Sequence, residues 1–393
     1  MKKLNICVVI DNIFPSHGGI GKTTERFSEI LKKRGHNVVF ISSRDKDNRK
    51  SFERVNGFKV YRLLGVKVPF TGGIYYQAFP SIPKVNKILE KEKIDAILLV
   101  SYTLLGLCIQ RCGKGLRIPV VLALHFQPEN VTKHVHLDYA PFRKIFSLWT
   151  KFICYRSDSV IVPSKFAKNM LLDYGVKGEI NVVSNGINLE DFNINKVDEK
   201  LFKKEFKLEG KKVFLFVGRL MPEKNLKLLI EAASFIDWKK NKDLKIVIVG
   251  DGDERNKLIR KVKTLGLENN VVFTGKISHE MLKSAYKACD VFILPSLVEL
   301  EGIVLLEAMA FGKPIMVANS DSSAAPNLVY EDKNGHTFCP VSPEALAKKM
   351  IYLAENERKI DEMGRNSFEI IKGYDINKSV DKMESILVSK SSV

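Results

Sequence analysis

Two runs of short apolar segments, each alternating with amphipathic stretches, fill this sequence of 393 residues. In the first run NICVVI, NVVFIS, KVYRL, AILLV, PVVLAL and SVIVPS read as strands, and TTERFSEILKKRG reads as a helix closed by Gly35. The second run restarts the rhythm with VFLFVG, NLKLLIEAASFI, KIVIVG, ERNKLIRKVKTLG, VVFTG, MLKSAYKAC, VFILPS and PIMVAN. Strands apolar throughout, interleaved with helices, pair in parallel and carry helices on both faces. Two such sheets in one chain predict two doubly wound α/β domains facing a cleft, joined in the polar and charged stretch 186–212. The tail from about residue 343 reads as helical and polar-rich.

Other classes drop out quickly. No run reaches the ~18 apolar residues of a membrane span. The opening MKKLNICVVIDNIF is broken by Asp11 and Asn12 and lacks a small-residue cleavage site, so it reads as a first buried strand and not a signal peptide. Six scattered cysteines make no zinc pattern; Cys108 and Cys112 share a helix but have no second pair. They read as packed thiols of a cytosolic protein. The net charge of +18 is uneven: residues 1–190 hold 30 Lys and Arg against 15 Asp and Glu, and residues 191–393 hold 33 against 30. A basic first half attracts phosphates, anionic lipid or nucleic acid, and equally suits a merely soluble surface.

The chemistry concentrates in PSLVELEGIVLLEAMAFGKP, residues 295–314. Glu299 and Glu307 bracket Gly302 and the start of an apolar helix. Glycine admits close backbone approach, and a helix N-terminus offers N–H groups of Ile303 and Val304 to an anion. Spacing alone is better served by acids that complement a helix dipole. Upstream, Arg219 and Lys224 in VGRLMPEKN flank a turn made by Pro222, a placing that suits a diphosphate. In the first half, Gly18 and Gly19 follow the first strand, GHNVVFIS forms the second, and His125 ends VVLALH.

Together these segments resemble retaining GT-B glycosyltransferases of family 4, which include phosphatidylinositol mannosyltransferases and bacterial glycolipid synthases. The likeness covers nearly the whole chain, strongest over 213–338 and weakest over 44–118. One departure stands beside the glycine, where the family often has Phe and this chain has Glu301. The resemblance implies a Rossmann-like acceptor domain over 1–190 and a nucleotide-sugar domain over 191–373. A last helix, about 374–389, crosses back onto the first domain. It implies that Gly302, Ile303 and Val304 give N–H groups to the donor diphosphate, Glu307 holds the ribose and Glu299 the transferring sugar. Arg219 and Lys224 then stabilise the leaving group. Gly18 and Gly19 approach the donor, and His125 positions the sugar without acting as a general base. The resemblance further implies a UDP- or GDP-linked donor, with no cofactor and no catalytic metal.

Three decoys need weighing. SHGGIGKTT at 16–24 nearly makes a P-loop, but Ser16 replaces the first glycine and no Walker B strand is evident. A ParA/MinD-like ATPase that binds membrane or nucleic acid is therefore the alternative function, and a GT-B sugar-nucleotide epimerase is another. DGD at 251–253 imitates a metal-binding DxD, yet it sits between a strand and a helix, where a turn is expected. His134 and His136 in FQPENVTKHVH fall in an expected acceptor-side loop and make only a weak metal signal.

The segment RKIFSLWTKFICYR, 143–156, spaces Phe146, Trp149 and Phe152 three apart with cations at its ends. The favoured reading packs these rings on the sheet; the other lays them in a membrane interface. Tyr75, Tyr76 and Tyr102 are expected in loops lining the acceptor site. The function expected is hexosyl transfer to a lipid-linked or membrane glycan. The expected setting is cytoplasmic, with the basic first domain on the anionic inner face of the plasma membrane and no nucleic acid bound.

Overall fold

Strands with apolar side chains on both faces have no surface to offer water, so they settle in the middle of a layered unit. The computed structural model describes residues 2–14, 18–45, 50–67, 76–125, 127 and 140–392. These divide into two units. The first takes the described residues of 1–126, 140–185 and 376–393, and the second those of 186–375 with Gln127.

In the first unit the strands are β1 (Asn5–Val9), β2 (Asn37–Ser43), β3 (Phe52–Val55), β4 (Phe58–Leu63), β5 (Gly65–Lys67), β6 (Tyr76–Ala78), β7 (Ala96–Leu99), β8 (Val120–Ala123), β9 (Ser159–Val162) and β10 (Ile180–Val182). The main sheet runs β10-β9-β8-β7-β1-β2-β4-β3, while β5 and β6 pair by themselves. All neighbours in the main sheet are parallel except β3 and β4. That hairpin turns at Asn56 and Gly57, both with positive φ, as a right-twisted two-residue turn demands. The helices are α1 (Gly18–Lys33), α2 (Ile82–Lys91), α3 (Leu104–Leu116), α4 (Ala140–Tyr155) and α5 (Lys165–Asp173). Ser164 caps α5, accepting a hydrogen bond from Ala167 N.

The second unit holds β11 (Lys212–Val217), β12 (Leu244–Val249), β13 (Val271–Gly275), β14 (Val291–Leu294), β15 (Ile315–Ala318) and β16 (Gly335–Phe338). They form one parallel sheet in the order β13-β12-β11-β14-β15-β16. Around it lie α6 (Lys200–Glu205), α7 (Leu226–Ala233), α8 (Arg255–Thr264), α9 (His279–Ala288), α10 (Ile303–Ala310), α11 (Pro343–Glu355) and α12 (Glu357–Ile371).

The last helix, α13 (Ile376–Lys390), belongs to the first unit. Ile376, Val380, Met383 and Leu387 recur every three or four residues, so they form one face. That face is buried in a single cluster with Leu4, Ile6 and Val8 from the first strand and Phe27 and Leu31 from α1. A polar clasp fastens it. His36, from the GHNVV segment, accepts a hydrogen bond from Leu4 N on Nδ1, and its Nε2 lies 2.9 Å from Glu384 Oε1. A ring that accepts at Nδ1 carries its proton on Nε2, so neutral His36 donates to Glu384. Arg34 Nη1 lies 2.7 Å from both Glu384 Oε2 and Asp381 Oδ1.

Burial pushes the Glu384 carboxyl up, but the hydrogen bonds from Arg34 and His36 outweigh it, and the net direction is down. A lowered folded value means stability that is present above the ordinary glutamate pKa, about 4.3, and lost as pH falls through the folded value. Glu384→Gln is accordingly expected to flatten the loss of thermal stability below about pH 4.3. A Tm profile from pH 3 to 7 as steep as the parent's would refute the clasp.

One buried cation organises the first unit elsewhere. Arg62 on β4 is 1% exposed. It donates to Glu53 and to the carbonyls of Ile13, Phe14 and Ser43. The chain leaving β1 toward α1 is therefore held by a guanidinium from another strand.

Candidate active site

Ligands of open parallel sheets bind beyond the carboxyl ends of the strands, where consecutive connections leave in opposite directions. In the second unit that point lies between β11 and β14, since β12 and β13 extend one way and β15 and β16 the other. The turn after β11 carries Arg219 and Lys224, and the loop after β14 carries Glu299 and Gly302. They converge: Lys224 Nζ donates to Glu299 Oε1 at 2.6 Å, both side chains being mostly buried. Arg219 is largely exposed and stands 3.9 Å from Glu223.

The backbone makes this arrangement stiff. Pro222–Lys224 is a single 3-10 turn. Leu297 N donates to the carbonyl of Glu223 at 2.8 Å, which ties the two loops together. Ala324 N donates to the carbonyl of Glu299, and Glu299 bridges Ser323. The DGD segment closes the third side. It is a turn, and Gly250 has φ +130 with an imagined Cβ 1.9 Å from the carbonyl oxygen of Gly218. Only glycine lets the β12 turn lie against the turn that presents Arg219.

Gly302 has φ +88 and caps α10 without a side-chain hydrogen bond. The first-turn N–H groups of α10, those of Ile303 and Val304 among them, have no intrahelical acceptor. They add the positive end of the helix dipole to Lys224 and Arg219. One turn on, Glu307 is half-buried and takes a hydrogen bond from the fully buried Tyr286 hydroxyl, 2.8 Å to Oε2. Tyr286 is itself held well above the ordinary phenol range, by burial first and then by the Glu307 charge, so it stays a donor. The unit thus gathers two cations, a helix N-terminus and two fixed carboxylates, a set that suits a ligand with a diphosphate and hydroxyls.

Glu301, the departure beside the glycine, is 5% exposed. Its charge contributes to raising the Tyr374 phenol, after burial. It points into the unit and is not displayed to solvent. Glu223 was not anticipated: it is buried, and its Oε2 has no hydrogen-bond partner among the described residues. Its only signal in the sequence was a position between Arg219 and Lys224.

In the first unit the same rule selects the point between β1 and β7. Asp11 follows β1 and is enclosed by Ser101 Oγ, 2.5 Å from Oδ2, and by Thr103 Oγ1, 3.1 Å from Oδ2. Gln77 Nε2 donates to Thr103 Oγ1 at 2.8 Å and approaches Asp11 Oδ1 at 3.3 Å. Burial pushes the Asp11 carboxyl up, against the hydrogen bonds from Ser101 and Thr103. Beside this network lies a cavity of about 240 Å³ lined by Gln77, Tyr102, Thr103, Leu104, Phe146 and Trp149. Trp149 Nε1 donates to the carbonyl of Tyr102 at 3.0 Å. Sequence reasoning had marked Tyr102 but missed Asp11, Gln77 and Thr103, whose strand-end positions were the available clue. Tyr76 lies in β6 and not in a loop, and its N–H binds Asn12 Oδ1.

The glycine segment differs from its expected form as a loop. Gly18, Gly19, Gly21 and Lys22 already lie in α1. A P-loop needs the glycines before Lys22 wound around a phosphate ahead of the helix, so a helix that already includes Gly18 to Gly21 removes the main support for the ATPase alternative. Gly19 is exposed in the first turn, where its backbone is open to approach. His125 follows β8. Burial pushes its imidazole down to about 4. It is neutral at physiological pH and is expected to titrate by NMR near pH 4; a midpoint near the ordinary 6.5 would contradict this environment. His134, His136, Tyr75 and the Arg143 side chain lie outside the described residues.

Two family models match the chain: "Glycosyltransferase Family 4" over residues 17–191 and "Glycosyl transferases group 1" over 197–369. An uncharacterized glycosyltransferase of Methanocaldococcus jannaschii, MJ1607, is 30% identical over 343 residues, covering 84% of this chain and 83% of its own. An alpha-monoglucosyldiacylglycerol synthase of Streptococcus pneumoniae is 29% identical over 323 residues, covering 80% of this chain and 70% of its own. Among solved structures, Anabaena HepE in complex with UDP-glucose superposes with a TM-score of 0.79 at 20% identity, covering 98% of this chain and 100% of that one.

Proposed function

Because this chain belongs to the GT-B glycosyltransferases of family 4, we propose that it moves a hexosyl unit from a nucleotide sugar to a hydroxyl of a lipid-linked or membrane-glycan acceptor, with retention at the anomeric carbon. The observation that carries this reading is the Lys224–Glu299 pair set before the Gly302-capped helix. A nucleotide sugar, UDP- or GDP-linked, would lay its diphosphate on the N–H groups of Ile303 and Val304. Lys224 and Arg219 would take up the charge that grows as the glycosidic bond breaks, so the step needs no catalytic metal. Glu299 would bind hydroxyls of the transferring sugar, and Glu307, fixed by Tyr286, would bind the ribose. The acceptor hydroxyl would attack from the leaving-group side and pass its proton to a leaving phosphate oxygen.

The acceptor is assigned to the cavity of the first unit. Its aromatic walls suit the apolar face of a sugar ring or a glycerol, and Gln77 and Thr103 suit hydroxyls. Similarity to a glycolipid synthase favours a lipid acceptor, and the basic first half favours an anionic membrane surface on the cytoplasmic side.

The test is transfer by purified protein from a panel of UDP- and GDP-sugars to diacylglycerol or monoglucosyldiacylglycerol in vesicles, with and without EDTA. The product anomer is read by NMR. An inverted anomer refutes retention, loss of turnover in EDTA refutes metal independence, and epimerised or free sugar without an acceptor points to the epimerase. Donor stabilisation without transfer to either lipid counts against the lipid acceptor.

A further inference from the structure

Helix α4 has two unlike faces. Its inner side places Phe146 and Trp149 in the wall of the cavity. Its outer side shows Ile145, Leu148, Phe152 and Tyr155, which are 60%, 57%, 47% and 51% exposed. Positions 145, 148, 152 and 155 recur every three or four residues and form one stripe along the helix. The expectation that the rings pack on the sheet fails at Phe152, while Phe146 and Trp149 are half-buried and line the cavity. Phe152 lies off the buried ridge of the helix, which Thr150, Ile153 and Cys154 form.

Charge borders this stripe. Lys144 and Lys151 fall along one edge by helical spacing and Arg156 along the other, and residues 140–156 contain no Asp or Glu. The Arg156 guanidinium lies 5.4 Å from the Phe152 ring centre, and Lys151 Nζ lies 5.8 Å from that of Tyr155. Leu172, at the end of α5, is also exposed. It lies near the stripe, because the Tyr155 hydroxyl donates to the carbonyl of Gly175. An apolar stripe edged by long cations that fold back over aromatic rings is the make-up of a helix lying in a bilayer surface. A second copy of this chain fits poorly, since two such helices would oppose like charges, with no Asp or Glu in residues 140–156 of either. No helix among the described residues is long and apolar enough to cross a membrane.

We propose that α4 seats its outer stripe in the headgroup region of an anionic bilayer, which holds the cavity behind Phe146 and Trp149 beside the membrane surface. The inference deepens the reading of a lipid acceptor and rests on it. It accounts for why an enzyme would leave Ile145, Leu148 and Phe152 in water.

Co-sedimentation of the full chain with vesicles tests it. The bound fraction is expected to rise when phosphatidylglycerol is mixed into phosphatidylcholine and to fall with added salt. The variant I145S/L148S/F152S is expected to lose about tenfold or more in binding at both salt levels. The variant K144Q/K151Q/R156Q is expected to lose the preference for phosphatidylglycerol. The serine positions lie on the surface, and stabilisation by UDP-glucose and GDP-mannose in thermal shift confirms folding in the same preparations. A parent protein that is stabilised by nucleotide sugar and ignores both vesicles overturns the inference and leaves the transfer reading intact. A serine variant that binds vesicles like the parent also overturns it, as does a concentration-dependent dimer that the serine variant abolishes while vesicles go unbound.

Discussion

Lys224→Ala is expected to lower kcat/KM for glycosyl transfer by about 10²–10³-fold, or roughly 3–4 kcal/mol of transition-state stabilisation. Lys224 is the mostly buried cation of the second unit's site, fixed on Glu299 at 2.6 Å and carried on a 3-10 turn. A group so placed is oriented before any charge develops on a ligand, so under the proposed function it would act without reorganising. The same change should cost little stability, about 1–2 kcal/mol, because Glu299 is left with partial access to water. The diagnostic is therefore the mismatch: a Tm near that of the parent with activity nearly gone. Arg219→Ala should cost less, since Arg219 is largely exposed and loosely held near Glu223. A Lys224→Ala enzyme within threefold of the parent in kcat/KM would remove Lys224 from the mechanism.

Arg62→Leu is expected to destabilise the protein by about 3–5 kcal/mol, the cost of breaking a buried charge network from one side. Four groups lose their donor at once: the Glu53 carboxylate and the carbonyls of Ile13, Phe14 and Ser43. For a unit of this size the fall in Tm is on the order of 10 °C. Arg62→Lys should recover only part of it, because an ammonium cannot span partners spread over three chain segments. The loss also reaches function, since Ile13 and Phe14 lead into the glycine-rich start of α1. Urea unfolding and a thermal scan measure the first effect. A Tm within about 2 °C of the parent's would show that the carbonyls find other partners.

Much of the fold was readable because buried parallel strands must be apolar on both faces. NICVVI, NVVFIS, VFLFVG and KIVIVG fall on β1, β2, β11 and β12, each with nearly every side chain buried. The strands that went unread lack that signature. In β3 the exposed and half-buried residues alternate, β5, β6 and β10 are three residues each, and β16 reads GHTF with no apolar run. The Asn56–Gly57 pair was the local clue to the first of these, a turn signal that needs no apolar run. Within the site, Lys224 and Glu299 are 75 residues apart, and their contact follows from the sheet order β11-β14, which no local pattern encodes. Gly302 was legible because only its φ makes a helix start there easily. Asp11 and Gln77 were not, because their meaning depends on the neighbours that strands β1, β6 and β7 bring to one edge. The favoured placing of Phe152 on the sheet failed for a related reason. Ring spacing reports that a helix has faces, but not which face the sheet takes.

The closing helix has a consequence for how the protein is made. Synthesis releases the strands of the first unit long before α13, and domains generally fold in the order in which they leave the ribosome. Yet Leu4, Ile6, Val8 and Phe27 share their cluster with Ile376, Val380, Met383 and Leu387. The first unit to emerge is thus the last to be finished, and it waits with an oily groove open while the second unit is translated and folds. A ribosome that stalls or a stop codon just after Asp375 would release a chain with that groove still bare. Such a product is expected to be a client of chaperones, and a shorter enzyme would not be the result.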